Sequence, residues 1–465
     1  MLKDQAMYGR LKNSSLGSAT LAFALTFGLF FPAAQARAAV AQSPLLLPSE
    51  SVPGSLALVP SVEWPTILSV ANLGNYSSAV NYTGYFDPAK CYLYKYDGTN
   101  ADDTWFYPNG KAVDRKCNVG SAKKEWSGNF LNWAATPTID PFRSALTGGQ
   151  RYRDTAELTV LQKARHSGQS AAGNRIEDVQ NNRQGILPQA EITGATPASS
   201  EWANFHIRLQ GLDYDMLFSN WRDGIGGGGS TGEKQREWVD YQPSLNAQFK
   251  NSRLITDYTP QGQVKSIYRV RLRVKVCDPS TDAGGVEANC KQYGSNYKPE
   301  GLLQQYAGTL RYSAFSYLND SSNGRDGGVL RANQKYIGPT LGDGGTNNPN
   351  KEWSATTGVF VKNPNPDDAT ATGYGVVDSG VINYLNKFGS MSDRNHKSLD
   401  PVSELYYTAV RYFKHQGNIP SYSNLNDDTS ENRYKTADGF PVITQWADPI
   451  TYSCQKNVIL GIGDV

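Results

Sequence analysis

Asp400-Pro-Val-Ser-Glu-Leu-Tyr-Tyr-Thr-Ala-Val-Arg-Tyr-Phe-Lys-His-Gln-Gly417 and, after a Pro-rich connection, Asn457-Val-Ile-Leu-Gly-Ile-Gly-Asp464 decide the fold class. An Asp side chain accepts from the orphan N–H groups of a helix start, and proline costs nothing at the first helical position. Val402, Leu405, Tyr406, Ala409, Val410 and Phe413 then recur with helical spacing, which predicts an inward face closed by Lys414, His415 and Gly417. The second run is apolar, β-branched and short, and it predicts a buried strand ending on glycine and an acid. Helix, loop and buried strand together make the class α/β.

The chain has 465 residues, enough for at least one large core. Charged residues are 19% and nearly balanced, so neither a nucleic-acid partner nor an acidic tail is indicated. Lys3, Arg10 and Lys12, the apolar run 16–31 and the small residues around Ala34–Ala38 read as a signal peptide over 1–38, with an h-region too short to span a bilayer. The mature chain, 39–465, is therefore expected to be exported, with no later segment of membrane-spanning length. It ends directly behind the expected buried strand, which reads as the N-terminal piece of something longer.

Cysteine usage fits export. Nearest-neighbour pairing of Cys91 with Cys117 and of Cys277 with Cys290 would close two short loops, each worth about 3 kcal/mol, although spacing alone does not fix connectivity. Cys454 is left over. A zinc site is disfavoured because no C-x-x-C is present and His166, His206, His396 and His415 are scattered.

Along the chain, 55–62 reads as a first strand continuing through 66–71. Residues 76–107 read as extended segments and turns, and 126–149 as a helical face of Phe130, Leu131 and Ala134 interrupted at Pro137, with a short turn restarting at Asp140-Pro141. Asp154 is expected to cap a helix with Leu158 and Leu161 inward. Segments 167–200 and 224–232 read as an insertion and a flexible linker, the latter lacking the phosphate-loop lysine. Tyr268, Val270, Leu272, Val274 and Val276 alternate with Arg269, Arg271, Arg273 and Lys275, a strand with one buried and one solvated face.

Catalytic signatures are missing: no Gly-x-Ser-x-Gly, no His-Glu-x-x-His. The acidic pairs Asp102/Asp103, Asp367/Asp368 and Asp427/Asp428 sit in polar loops with nothing apolar to raise a pKa. Asp320, Asn323 and Asp326 lack calcium-loop spacing and read as turn residues. Asp464, at a strand end, is the one metal-ligand candidate, and its natural co-ligands are absent because 60–65 contains no Asp-x-Ser-x-Ser.

Tyr82-Thr-Gly-Tyr-Phe-Asp-Pro-Ala-Lys-Cys91-Tyr92, Trp126-Ser-Gly-Asn-Phe-Leu-Asn-Trp133, Arg325-Asp-Gly-Gly-Val-Leu-Arg331, Asp400-Pro-Val-Ser-Glu-Leu-Tyr-Tyr407, Asp438-Gly-Phe-Pro-Val-Ile-Thr444 and Tyr452-Ser-Cys-Gln-Lys-Asn457 occur in this order. Together they resemble the PilC/PilY family of type IV pilus assembly and tip-adhesin proteins. The resemblance implies a von Willebrand factor A-like, Rossmann-like central sheet with insertions, and a place in the periplasm, at the outer membrane or cell surface, or at the pilus tip. Expected partners are pilins, minor pilins and a host or abiotic surface receptor. The implied role is pilus extension, attachment and twitching motility, without catalysis; a secreted hydrolase acting on a surface polymer is the alternative. The family's C-terminal β-propeller, with its calcium site, is absent from 39–465, so no cofactor is expected here.

Overall fold

The first strand of the chain sits inside a sheet, with a parallel neighbour on each side. Numbering strands along the chain, the computed structural model orders the central sheet β15 (Val329–Lys335), β14 (Leu310–Ser316), β1 (Gly54–Pro60), β16 (Asn457–Ile462). Leu56 of β1 pairs with Tyr312 on one side and Val458 on the other, while β15 is antiparallel to β14. Phe315 meets Tyr412 of helix Val402–Phe413 at 5.4 Å, and the next residue, Ser316, hydrogen-bonds the Tyr384 hydroxyl of helix Val381–Lys387. Successive strand side chains point to opposite faces, so the two helices cover the sheet from both sides and the class is α/β.

The structure describes residues 52–96, 100–119, 125–167, 169, 189–197, 206–209, 211–219, 253–258, 265–320, 325–342, 344–399, 401–426 and 428–463. The leader, the 224–232 run, Asp400, Asp427, Asp464 and most of 167–200 lie outside them. Within the last, Gln189–Ala195 is a helix that buries Ile192 and Ala195 in the second core.

That core belongs to a sheet ordered β4 (Trp126–Ser127), β2 (Lys90–Lys95), β3 (Trp105–Lys111), β11 (Arg273–Val276), β6 (Thr159–Gln162), β5 (Arg151–Asp154). A third sheet runs β7 (His206–Arg208), β8 (Asp215–Ser219), β10 (Lys265–Arg271), β9 (Arg253–Tyr258), and β12 (Cys290–Tyr293) and β13 (Asn296–Pro299) form a hairpin.

Several sequence expectations change. The 457–464 run is an edge strand among the described residues: Val458 is 55% and Leu460 39% exposed, because β16 has β1 on one side only. Helix Val402–Phe413 is rotated, burying Leu405, Thr408, Ala409 and Tyr412 and leaving Tyr406 and Val410 outside; the Tyr412 hydroxyl accepts from the Gln334 N–H at 2.9 Å, which fixes that rotation. Residues 64–68 are a helix, since the Glu63 carboxylate caps the Thr66 N–H and Pro65 opens the first turn. Asp154 ends β5 in a hairpin and pairs with Arg151 at 2.9 Å and Lys298 at 3.0 Å. The 268–276 strand divides at Leu272 between two sheets; a strand buried on the same face in both keeps its alternation, so the break leaves no trace in the pattern. Its cations are paired: Arg269 and Arg271 share Asp215, and Arg273 is buried against Gln162 and over the Tyr152 ring.

Long loops bring carbonyls inside, and buried arginines satisfy them. Arg331 donates to Tyr317 O at 2.6 Å, Ala437 O at 2.9 Å, Pro441 O at 3.2 Å and Ser316 Oγ at 3.0 Å. Replacing it with methionine, Arg331→Met, strands these acceptors, each costing about 1–3 kcal/mol if water cannot reach it. Thermal unfolding of Arg331→Met should show a loss of at least about 3 kcal/mol, only partly recovered in Arg331→Lys, which lacks the planar fork.

Candidate functional site

The sequence stretches that carry the resemblance are joints between distant segments. Asn132 in helix Gly128–Ala135 accepts from Phe86 N–H at 3.1 Å and donates to Tyr82 O at 3.0 Å and Phe86 O at 2.8 Å. Asn129 holds Tyr82 N–H at 2.9 Å and Val80 O at 2.9 Å, so the 126–133 stretch clamps the 82–92 stretch. A Cβ on Gly84 would lie 2.2 Å from Asn132 Oδ1, and one on Gly128 would lie 2.2 Å from Asp87 O. Gly327 lies against the Tyr422 ring and Gly328 against Leu405, while Arg331 reaches Ala437 and Pro441. The 325–331, 400–407 and 438–444 stretches therefore meet as well.

Between β1 and β16 the strand order reverses, the place where open α/β sheets receive ligands. Ser61, Glu63, Thr66 and Gly463 gather there. The Glu63 carboxylate accepts from the Ser61 and Thr66 hydroxyls and the Thr66 N–H, and Ser61 N–H donates to Ile462 O at 2.7 Å. Lys397 is fully buried alongside, its ammonium 5.9 Å from the Tyr317 ring centroid and 3.4 Å from Asp326. A hard cation wants six or more oxygens. Glu63 works here as a helix cap whose carboxylate is taken by two hydroxyls and an N–H; Asp464 lies outside the described residues.

Cys91–Cys117 and Cys277–Cys290 are bonded, with Cα separations of 5.6 and 5.7 Å, and Cys454 is free and exposed. Cys277, Glu287 and Cys290 cluster, but both sulfurs are spent on each other, and Glu287 accepts from Lys90 Nζ at 2.8 Å and Cys277 N–H at 2.7 Å. That ion pair docks the second disulfide loop on the six-stranded sheet, through Lys90 of β2. A cleft of about 460 Å³ opens beside it, with Asp87, Glu287 and Glu300 among its lining residues. Glu300 accepts from the Tyr293 hydroxyl, so this rim is already hydrogen-bonded.

The acidic pairs are dispersed. Asp102 accepts from the Tyr152 hydroxyl, which holds its carboxyl below the usual range, and Asp103 pairs with Arg153 at 2.6 Å. Asp428 pairs with Arg325 at 2.8 Å, and Arg325 also reaches Asp320 at 3.5 Å. Asp368 departs from expectation: helix Pro366–Thr372 half-buries it, and desolvation raises its carboxyl against the pull of Lys335. Asp140 is buried too, raised by desolvation, with Arg143 opposing at 3.5 Å and the Tyr85 hydroxyl donating at 3.1 Å. No local pattern marks this one, because its partners Ala164 and Tyr85 are remote in the chain.

Residues 74–211 match the family model described as PilY1 homolog, small alpha/beta domain. The six-stranded sheet extends past that range, since β11 lies between β3 and β6. Among curated proteins, a type IV pilus biogenesis factor PilY1 homolog of Xylella fastidiosa (strain Temecula1) is 46% identical over 441 residues, covering 91% of this chain and 33% of the relative. A second protein of that description from the same organism is 26% identical over 383 residues, 74% of this chain and 22% of its own length. The chain thus spans a third or less of the curated relatives it matches. No solved structure matches it.

Asn132→Ala should unfold at lower temperature, by about 2–3 kcal/mol, because three backbone groups of the 82–86 loop lose their partner; Asn129→Ala, with two contacts, should cost less. His396 supplies an acid dependence. Burial first, then the Arg165 guanidinium, with His166 and Arg143 adding, push its imidazole from 6.5 down to about 3. The unfolded chain takes up this proton at higher pH than the folded one, so stability falls as pH drops from about 6.5 towards 3. At pH 5 the loss is about 2 kcal/mol relative to neutral pH, and His396→Gln should unfold with a visibly flatter pH profile.

Proposed function

Taking the chain as a PilY1-family sequence, we propose that it is an exported type IV pilus assembly factor and pilus-associated adhesin that acts by binding, without turnover. The observation that carries this is the 46% identity to a pilus biogenesis factor along 91% of the chain. Partners in this reading are pilins and minor pilins on one side and a surface receptor on the other. Two disulfides suit an oxidising envelope compartment. Among the described residues no helix is long and apolar enough to cross a membrane. A central sheet of three parallel strands with an antiparallel edge, helices on both faces and strand order β15-β14-β1-β16 supports a von Willebrand factor A-like arrangement. Such a fold presents its loops to other proteins, and among the described residues Asp102, Asp103, Asp140 and Asp428 are engaged by partners within the chain.

Deleting the gene should abolish surface pili and twitching, and re-expression should restore both. In a background unable to retract pili, the deletion should regain pili yet still attach poorly, which separates adhesion from assembly. Unchanged piliation, motility and attachment in the first strain would overturn the assignment.

A further inference from the structure

A second cleft, of about 790 Å³, lies between the end of helix Pro366–Thr372, the 418–426 loop and the 442–445 segment that bridges to β15. Its volume falls within the range of small-molecule sites, about 300–1,000 Å³. None of the described residues lining it is charged. Asn418, Asn424, Asn426, Gln445 and Thr444 bring amides and a hydroxyl, and Tyr374 brings a ring.

This wall is held in place by its own bonds. Asn418 Nδ2 donates to Ser423 Oγ at 2.7 Å, Asn426 N–H to Asn424 Oδ1 at 2.9 Å, and Val442 N–H to Thr372 Oγ1 at 2.9 Å. Tyr374 sits at φ 57° between Gly373 at 70° and Gly375 at 78°. Left-handed backbone is strained for an aromatic residue, and strain of this kind collects where a side chain must be presented. The Arg433 guanidinium fixes the ring from 4.6 Å, and itself donates to Asp428 O at 3.0 Å and Asn426 O at 3.1 Å, so the ring and the loop form one unit.

We propose that this cleft binds a neutral oligosaccharide. A pyranose offers hydroxyls that donate and accept at once, matched by side-chain amides, which do the same from one planar group. It also offers an apolar C–H face that packs on an aromatic ring. A phosphate ligand would call for a cation in the wall and a basic peptide for a carboxylate; the lining supplies neither. The inference stands on the cleft's chemistry and does not depend on the pilus assignment.

The test is saturation-transfer NMR on the purified full chain with neutral di- and trisaccharides of gluco, galacto, manno and N-acetylated configuration, plus oligogalacturonate as the charged control. At least one neutral sugar should bind with Kd on the order of 1 mM, unchanged between low and high salt because no ion pair forms. Gln445→Ala and Asn426→Ala, both at exposed positions and expected to keep the wild-type melting temperature, should each weaken binding about fivefold; Tyr374→Ala should weaken it about tenfold. No transfer from any neutral sugar, binding confined to oligogalacturonate, or affinity indifferent to Gln445→Ala and Asn426→Ala would overturn the proposal.

Discussion

A guanidinium presents five N–H donors in a rigid fork, and this fold uses that fork to bind loops that are remote in sequence. Arg143, in helix Ile139–Thr147, donates to Leu385 O at 2.8 Å and Phe388 O at 2.9 Å and so ties its own helix to the end of the helix Val381–Lys387 that covers the central sheet. Arg151 reaches Pro299 O and Gly358 O, both at 2.7 Å. Arg165 reaches Gly389 O, and Arg311 reaches Gln334 O and Pro449 O. Such bonds join segments remote in sequence, among them irregular ones such as those at Gly358, Gly389 and Pro449. A buried carbonyl left unpaired is costly, so the long connections of this chain can enter the interior only where such a donor waits for them.

Carboxylates do the complementary work on N–H groups. Glu352 accepts from Val381 N–H at 2.8 Å and Ile382 N–H at 2.7 Å, at the first turn of a helix whose preceding residue, Gly380, offers no side chain as a cap. Asp438 accepts from Gly389 N–H at 2.5 Å, and its burial raises its carboxyl to about 6. These acids are held by the scaffold, which is why perturbed carboxyls in this protein do not by themselves mark chemistry. What faces outward is different in kind: the open edge of β16, and polar loops carrying aromatic side chains.

Motif and element were legible in the sequence where a local pattern carried them. Helix Val402–Phe413 followed from apolar spacing and a glycine stop, and β1 from a short apolar run. The stretches that carry the resemblance to pilus factors were legible too, but their structural reason was not. Asn129 and Asn132 look like ordinary polar residues on a helix until Tyr82 and Phe86 are seen folded against them, and Gly327 and Gly328 look like a turn until Tyr422 and Leu405 close over them. Each is an adhesive contact across a large sequence separation, and no periodicity reports such a contact.

By itself, the sequence determined the α/β class, the resemblance to pilus biogenesis factors, and which short segments are apolar enough to be strands or helices, because burial and propensity are written in local residue order. Only the tertiary structure decided that β16 borders the central sheet among the described residues, that β11 joins the six-stranded sheet while β10 leaves for another, and that the arginines turn inward. Strand neighbours and guanidinium partners are chosen by which surfaces and carbonyls remain unsatisfied once the chain is assembled, and that is a property of the whole packing.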